Sequence, residues 1–220
     1  MKPPDHNRLI TAAAKAELLP LGCTQKGRSR TWLDDHGWWV GVVEFQPSAW
    51  SKGSYLNVGV CWLWYEKDYF SFDAALGANG SRVEPFHQYD GTGAFASSAH
   101  LLAQRARDEV LALRDQLSSL RRTSDFLESR SFEKNVWGRY HAGVAAGLMG
   151  DSDAASRYFE KVQSEKLDFD WVYQLKRRTT ELLNAAEDKA RFRSEIDSIV
   201  RRTRELLKLP AIGKPIQFES

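Results

Sequence analysis

Apolar positions recur at two different periods along this chain, and the change of period falls near residue 98. Leu9, Ile10, Ala13, Ala14 and Leu18 sit at helical spacing behind a capping Asp5 or Asn7. Pro20 and Gly22 close that first helix. From Cys23 to Asp35 the pattern is mixed, with Arg28, Arg30 and Trp32 on one alternation phase, and Asp34-Asp35-His36-Gly37 reads as a hairpin turn. Trp38 to Gln46 is rich in β-branched and aromatic residues and predicts a strand. Ser54 to Glu66 predicts the longest strand. It carries Leu56, Val58, Val60, Trp62 and Trp64 on one face and Tyr55, Asn57, Gly59, Cys61, Leu63 and Tyr65 on the other. Lys67 to Ser98 is punctuated by glycine and proline and predicts either a long ordered loop or a weak fourth strand within it.

Beyond residue 98 the period becomes helical. Ala103, Ala106, Val110, Leu113, Leu117 and Leu120 repeat at three and four. Further helical runs are expected at Ser131–Met149, Asp153–Ser164, Phe169–Ala186 and Ala190–Leu207, with Pro210 as a stop. Strands first and helices later imply an α+β fold: an antiparallel sheet of three to five strands with flanking helices, then an all-helical C-terminal half. The expected division is a sheet domain at 1–122, a helical subdomain at 123–209 and an extended tail at 210–220. The small residues of Ala142 to Gly150, followed by Ala154, Ala155, Phe159 and Val162, resemble a single tetratricopeptide unit. One such unit cannot make a solenoid, so a closely packed helical hairpin is expected there.

Composition narrows the class of protein without naming a chemistry. At 220 residues the chain buries roughly 70% of its unfolded surface, so no disulfide or metal is needed for folding. Lys and Arg number 31 against 29 Asp and Glu, and the pI is about 8.5, below the range of a dedicated duplex-binding domain. The two cysteines, Cys23 and Cys61, make no disulfide framework and are expected as buried thiols. The N-terminal residues show no signal-peptide core, and no apolar run approaches the ~18 residues that span a bilayer. A cytoplasmic protein is expected, with no membrane partner.

Six of the eight tryptophans lie between Trp32 and Trp64. Most of this aromatic load is expected to build the core. Trp38 and Trp39 cannot both point inward from one strand, so one of them is either covered by another element or offered to a partner. Tryptophan dominates interface hot spots, so Trp38, Trp39, Trp50, Trp62 and Trp64 are the candidate partner-binding residues. A basic row, Lys26, Arg28 and Arg30 beside Trp32, together with Arg201, Arg202 and Arg204 on the last helix, is the candidate nucleic-acid surface. The competing interpretation of the first three is an edge strand protected by charge.

Catalytic signals are sparse. None of the five histidines lies in HExxH or beside cysteine at zinc spacing, and neither GxSxG nor a P-loop occurs. Asp90-Gly91-Thr92-Gly93 and Gly77-Ala78-Asn79-Gly80 are read as turns, and Asp151/Asp153 and Asp168/Asp170 as helix caps. No cofactor or metal is expected. A hydrolase or nuclease would require at least three of His36, His87, His100, Asp73, Glu84 and Asp90 to converge in one cleft.

Leu18-Leu19-Pro20-Leu21-Gly22-Cys23-Thr24-Gln25-Lys26-Gly27-Arg28, Val42-Val43-Glu44-Phe45-Gln46-Pro47-Ser48 and Tyr55-Leu56-Asn57-Val58-Gly59-Val60 resemble an uncharacterised bacterial family, domain of unknown function 4304. The resemblance covers roughly residues 5–120, and Cys23 stands where that family usually has an aromatic residue. It implies a small α+β domain and no established activity. The leading expectation is a non-enzymatic, cytoplasmic protein-binding domain, in the setting of an immunity or accessory protein of bacterial conflict. The alternatives are a nucleic-acid-binding module and a hydrolase or nuclease. The expected partner is another protein, with nucleic acid the alternative; the sequence leaves oligomeric state open.

Overall fold

The computed structural model describes residues 5–77, 79–129 and 135–213, which form two compact units. The first comprises residues 1–62 and 70–115 of the chain, and the second residues 63–69 and 116–220.

The first unit is built on a five-stranded antiparallel meander in the order β1-β2-β3-β4-β5. Its strands are β1 (Thr24–Gln25), β2 (Thr31–Asp35), β3 (Trp39–Glu44), β4 (Gly53–Trp62) and β5 (Arg82–Gln88). The α+β class and the antiparallel sheet are as the hydrophobic pattern predicts. The weak fourth strand within 67–98 exists as β5, and the mixed stretch 23–35 resolves into β1, a turn and β2. β5 runs beside only the first part of β4, and its register shifts twice between Ser54 and Asn57. Further along β4, Asp73 and Ala74 take over the pairing: Val60 donates to the Ala74 carbonyl at 2.7 Å, and Asp73 donates back at 2.8 Å. Only glycine suits position 59, where a Cβ would lie 2.6 Å from that carbonyl. The outer strand carries an exposed Pro85, which cannot donate to a further strand and so blunts that edge.

Two helices accompany the sheet, α1 (Asp5–Leu18) and α2 (Thr92–Gln116). A 3-10 turn at Leu19–Leu21 follows α1 and ends at Gly22, whose φ of 82° is the left-handed conformation expected of a helix-terminating glycine. Ala99, Leu102, Ala103, Ala106, Val110 and Leu113 form the buried stripe of α2. Polar contacts pin this helix at three places: Arg105 to Glu84 of β5, Arg107 to Glu17 of α1, and Arg114 to Asp34 of β2.

The second unit holds α3 (Leu120–Ser129), α4 (Val136–Met149), α5 (Ser152–Gln163), α6 (Asp170–Leu183) and α7 (Lys189–Leu207). The expected helix over 131–149 begins at Val136; residues 131–134 of that expectation lie outside the described residues. α4 is the central element and is buried along almost its whole length. Gly143 and Gly147 let it approach its neighbours, since a Cβ at either would lie 2.5 Å from the ring of Phe159 on α5 or Phe192 on α7. The small-residue pattern at 142–150 thus makes the tight hairpin expected of it. Side-chain caps from Asn135, Asp151 and Asp188 start α4, α5 and α7. Phe169 stands at the cap position of α6 and makes no side-chain bond, so the expected Asp168 cap is absent.

The expected division at residue 122 differs from the observed units. Residues 63–69 belong with the helices, because Trp64 and Tyr65 are bonded into them. The Tyr140 hydroxyl donates to the Trp64 carbonyl at 2.8 Å, the Trp64 indole donates to His141 Nδ1 at 2.9 Å, and Thr203 donates to the Tyr65 carbonyl at 3.2 Å. The start of the tail folds back onto α7, where Arg204 and Arg201 donate to the carbonyls of Pro210 and Ile212. Residues 214–220 of the expected tail lie outside the described residues.

Candidate functional site

Four of the five candidate tryptophans are core residues. Trp38 stacks on Trp62 with ring centroids 5.9 Å apart and planes 7° apart, and both are buried. Trp39 is buried beneath the His36 ring, 4.0 Å away and nearly parallel. Trp38 precedes β3, so the two neighbours do not alternate as consecutive strand residues, and other groups cover both. β4 ends at Trp62, so Trp64 does not share a strand face with it and lies buried in the helical unit. Trp50 is the exception. It occupies the β3–β4 connection, 95% exposed, with its backbone N–H held by the Ser48 hydroxyl.

The basic row does not form on a strand. Lys26 and Arg28 lie in the β1–β2 turn, where Gly27 adopts φ 56° and Ser29 bonds back to the Lys26 carbonyl. Lys26 rests on the Phe70 ring at 4.7 Å, and Arg30 is drawn inward to donate to the Gly53 carbonyl. On α7, Arg201 pairs with Asp197, Arg202 pairs with Glu205, and Arg204 is 4% exposed and spends its guanidinium on Pro210. These partners neutralise the two ion-paired arginines of α7 and withdraw the third from the surface, while Lys26 and Arg28 remain exposed in their turn.

The candidate catalytic groups are dispersed. His87 and Glu84 approach to 3.7 Å in a groove of about 320 Å³. His100 lies beside Glu17, His36 bonds Asp34, and the Asp73 carboxylate accepts the Trp62 backbone N–H at 2.8 Å. Among the described residues no group of three or more His, Cys, Asp or Glu could hold a metal ion. No described helix is long and apolar enough to cross a membrane.

The densest polar cluster surrounds Asp34, which the linear pattern presents as part of a turn. Its carboxylate accepts from His36 Nε2 at 2.7 Å and from Arg114 Nε and a terminal nitrogen at 2.9 and 2.6 Å, while Arg114 also donates to the Leu21 carbonyl. Burial alone would push this carboxyl upward, but the bonds and charges of His36 and Arg114 outweigh it and hold the group below the usual aspartate range. Burial pushes the neighbouring Cys23 thiol up to about 11, with Asp34 adding to the effect, so it is not poised as a nucleophile. The cluster ties α2 to β2 and to the turn after α1.

A solvent-facing aromatic corner stands in the helical unit, and none of its residues was a candidate from sequence. The connection between α5 and α6 is extended, and Leu167, Phe169 and Tyr173 are 46%, 55% and 57% exposed there. Behind them the rings form a column. Phe169 stacks on Trp171 at 6.3 Å and 9°, Trp171 on Trp137 at 5.6 Å and 14°, and Trp137 on the buried His141 at 6.1 Å and 24°. Tyr65 meets Trp137 edge-on at 4.7 Å. The Tyr173 hydroxyl donates to Asp168 at 2.7 Å and fixes the outer edge of the corner. The available signal was the alternation Leu167-Asp168-Phe169-Asp170-Trp171 running into the start of α6, which helical periodicity alone passes over.

No family model, no curated protein and no solved structure matches this chain.

Proposed function

We propose that this chain is a non-enzymatic protein-binding domain and that the corner at Leu167, Phe169 and Tyr173 is its principal contact surface. One observation carries the reading: three large apolar side chains lie exposed within seven residues, and one of them, Phe169, ends a ring stack that runs through Trp171 and Trp137 to the buried His141. Large apolar side chains exposed close together mark interaction sites, and preordered aromatic rings bind with little loss of conformational freedom. Trp50 is a second exposed anchor, on the sheet unit. We place the domain in the cytoplasm, as an immunity or accessory protein that masks a partner, following the kind of bacterial family that residues 5–120 resemble.

The test is capture of partners from native lysate by the tagged full chain and by its Phe169→Ser and Trp50→Ala variants, with and without nuclease. A stoichiometric protein that survives nuclease, and that Phe169→Ser no longer retains, supports the reading. Retention of every captured protein by both variants would remove it. Nucleic acid as the retained species would replace it with the alternative class.

A further inference from the structure

We propose that the partner of the aromatic corner is a cationic protein segment, one that presents arginine or lysine together with apolar side chains. The inference rests on the protein-binding reading above and deepens it. The chemistry of the corner is aromatic and acidic in alternation. Asp168 precedes Phe169, Asp170 follows it, both aspartates are exposed, and Asp168 accepts a hydrogen bond from the hydroxyl of the exposed Tyr173. Three cationic residues of the same unit are engaged elsewhere. Arg139 pairs with Glu165, Lys176 donates to the Glu165 carbonyl, and Arg178 is shared between Glu66 and Glu181. Lys166, two residues before Asp168, and Arg177 on α6 are exposed cations in the same unit.

A guanidinium suits this arrangement in two ways. It stacks on an exposed aromatic face such as that of Phe169 or Tyr173 through the ring quadrupole, and its fork of donors matches an exposed carboxylate such as Asp168, which is bonded to the Tyr173 hydroxyl. The Asp168 carboxylate is already oriented by the Tyr173 hydroxyl, which uses Oδ1 at 2.7 Å and leaves Oδ2 for an incoming donor. The exposed face of Phe169 ends a stack of near-parallel rings, so a stacked cation would meet a platform held in place by Trp171 and Trp137. The same two carboxylates repel phosphate, so a nucleic-acid strand stacking on Phe169 would carry its charge into an unfavourable field.

Binding of a fluorescent twelve-residue peptide of repeating Arg-Ala-Leu to the full chain, read by anisotropy at low and at physiological salt, tests the proposal. Saturable binding is expected, weakened about three- to tenfold by Asp168→Asn with Asp170→Asn and roughly tenfold or more by Phe169→Ser. A peptide of repeating Gln-Ala-Leu should bind at least several-fold more weakly. Thermal melts of each variant establish that the fold is retained. Equal binding of the two peptides, no effect of the double substitution, or no binding of the arginine peptide would overturn the cationic assignment. Tighter binding of a twenty-nucleotide single-stranded thymidine oligomer would overturn it in favour of nucleic acid, and self-association abolished by Phe169→Ser would do so in favour of a second copy of the chain. The lysate capture separates the two levels of the argument. Loss of the partner with Phe169→Ser but retention with the double substitution leaves the protein-binding reading standing and removes the cationic one.

Discussion

Gly143 and Gly147 show how strongly one hydrogen atom can determine packing. Glycine within a helix ordinarily costs about 1 kcal/mol relative to alanine. Here the Cβ of alanine would sit 2.5 Å from the Phe159 or Phe192 ring, and both rings are wholly buried. Gly143→Ala and Gly147→Ala are each expected to destabilise the protein by about 1–3 kcal/mol, measured as a shift of the urea midpoint. A stabilising alanine at either site would contradict the tight α4 contacts. Asp34 determines a pH response instead. Its carboxyl is held below the ordinary range in the fold, so its contribution is fully present above the unfolded value of about 3.9 and is lost as pH falls through the folded value. Asp34→Asn should therefore be less stable than the native chain at pH 7, and the gap should narrow as the pH is lowered below the ordinary aspartate value. Urea titrations at pH 7 and at the lower pH check this, and a gap independent of pH would mean that the His36 and Arg114 bonds do not act through charge.

At the level of elements, a period of three to four was legible wherever one face of a helix is buried, and the stripe from Ala103 to Leu120 is buried throughout. That stripe is nevertheless shared by two helices, because α2 stops at Gln116 and α3 starts at Leu120, and periodicity does not register a break that keeps phase. The strands were legible where β-branched and aromatic residues cluster. The alternation of Lys26, Arg28 and Arg30 does not correspond to a strand, because alternation of residue type also occurs in a tight turn, and the left-handed Gly27 makes one here. Caps decide helix starts more locally. Asp188 accepts from the backbone N–H groups of Ala190 and Arg191, so Asp188→Ala should cost about 1 kcal/mol. Asp188→Ser should recover most of that loss in the same thermal melt, since serine can make the same bond.

Across the whole molecule, the division into two units does not follow a single cut in the chain. Trp64 is wholly buried and bonds to Tyr140 and His141 of the helical unit, far along the sequence. A fragment of residues 1–122 would leave Leu63 and Trp64 without that environment. It is expected to bind a hydrophobic dye and to aggregate at concentrations where the full chain does neither; a clean monomeric fragment with native-like exchange protection at 63–69 would refute the assignment. Period, composition and turn chemistry by themselves determined the α+β class, the antiparallel pairing and the helical second half, because each is set by neighbours within a few residues. Only the tertiary structure decided which tryptophans face solvent, which arginines are already spent on carboxylates and carbonyls, and that Phe169, Trp171 and Trp137 form one stack. Those properties depend on what a side chain meets from distant parts of the chain, and residue type does not encode that meeting.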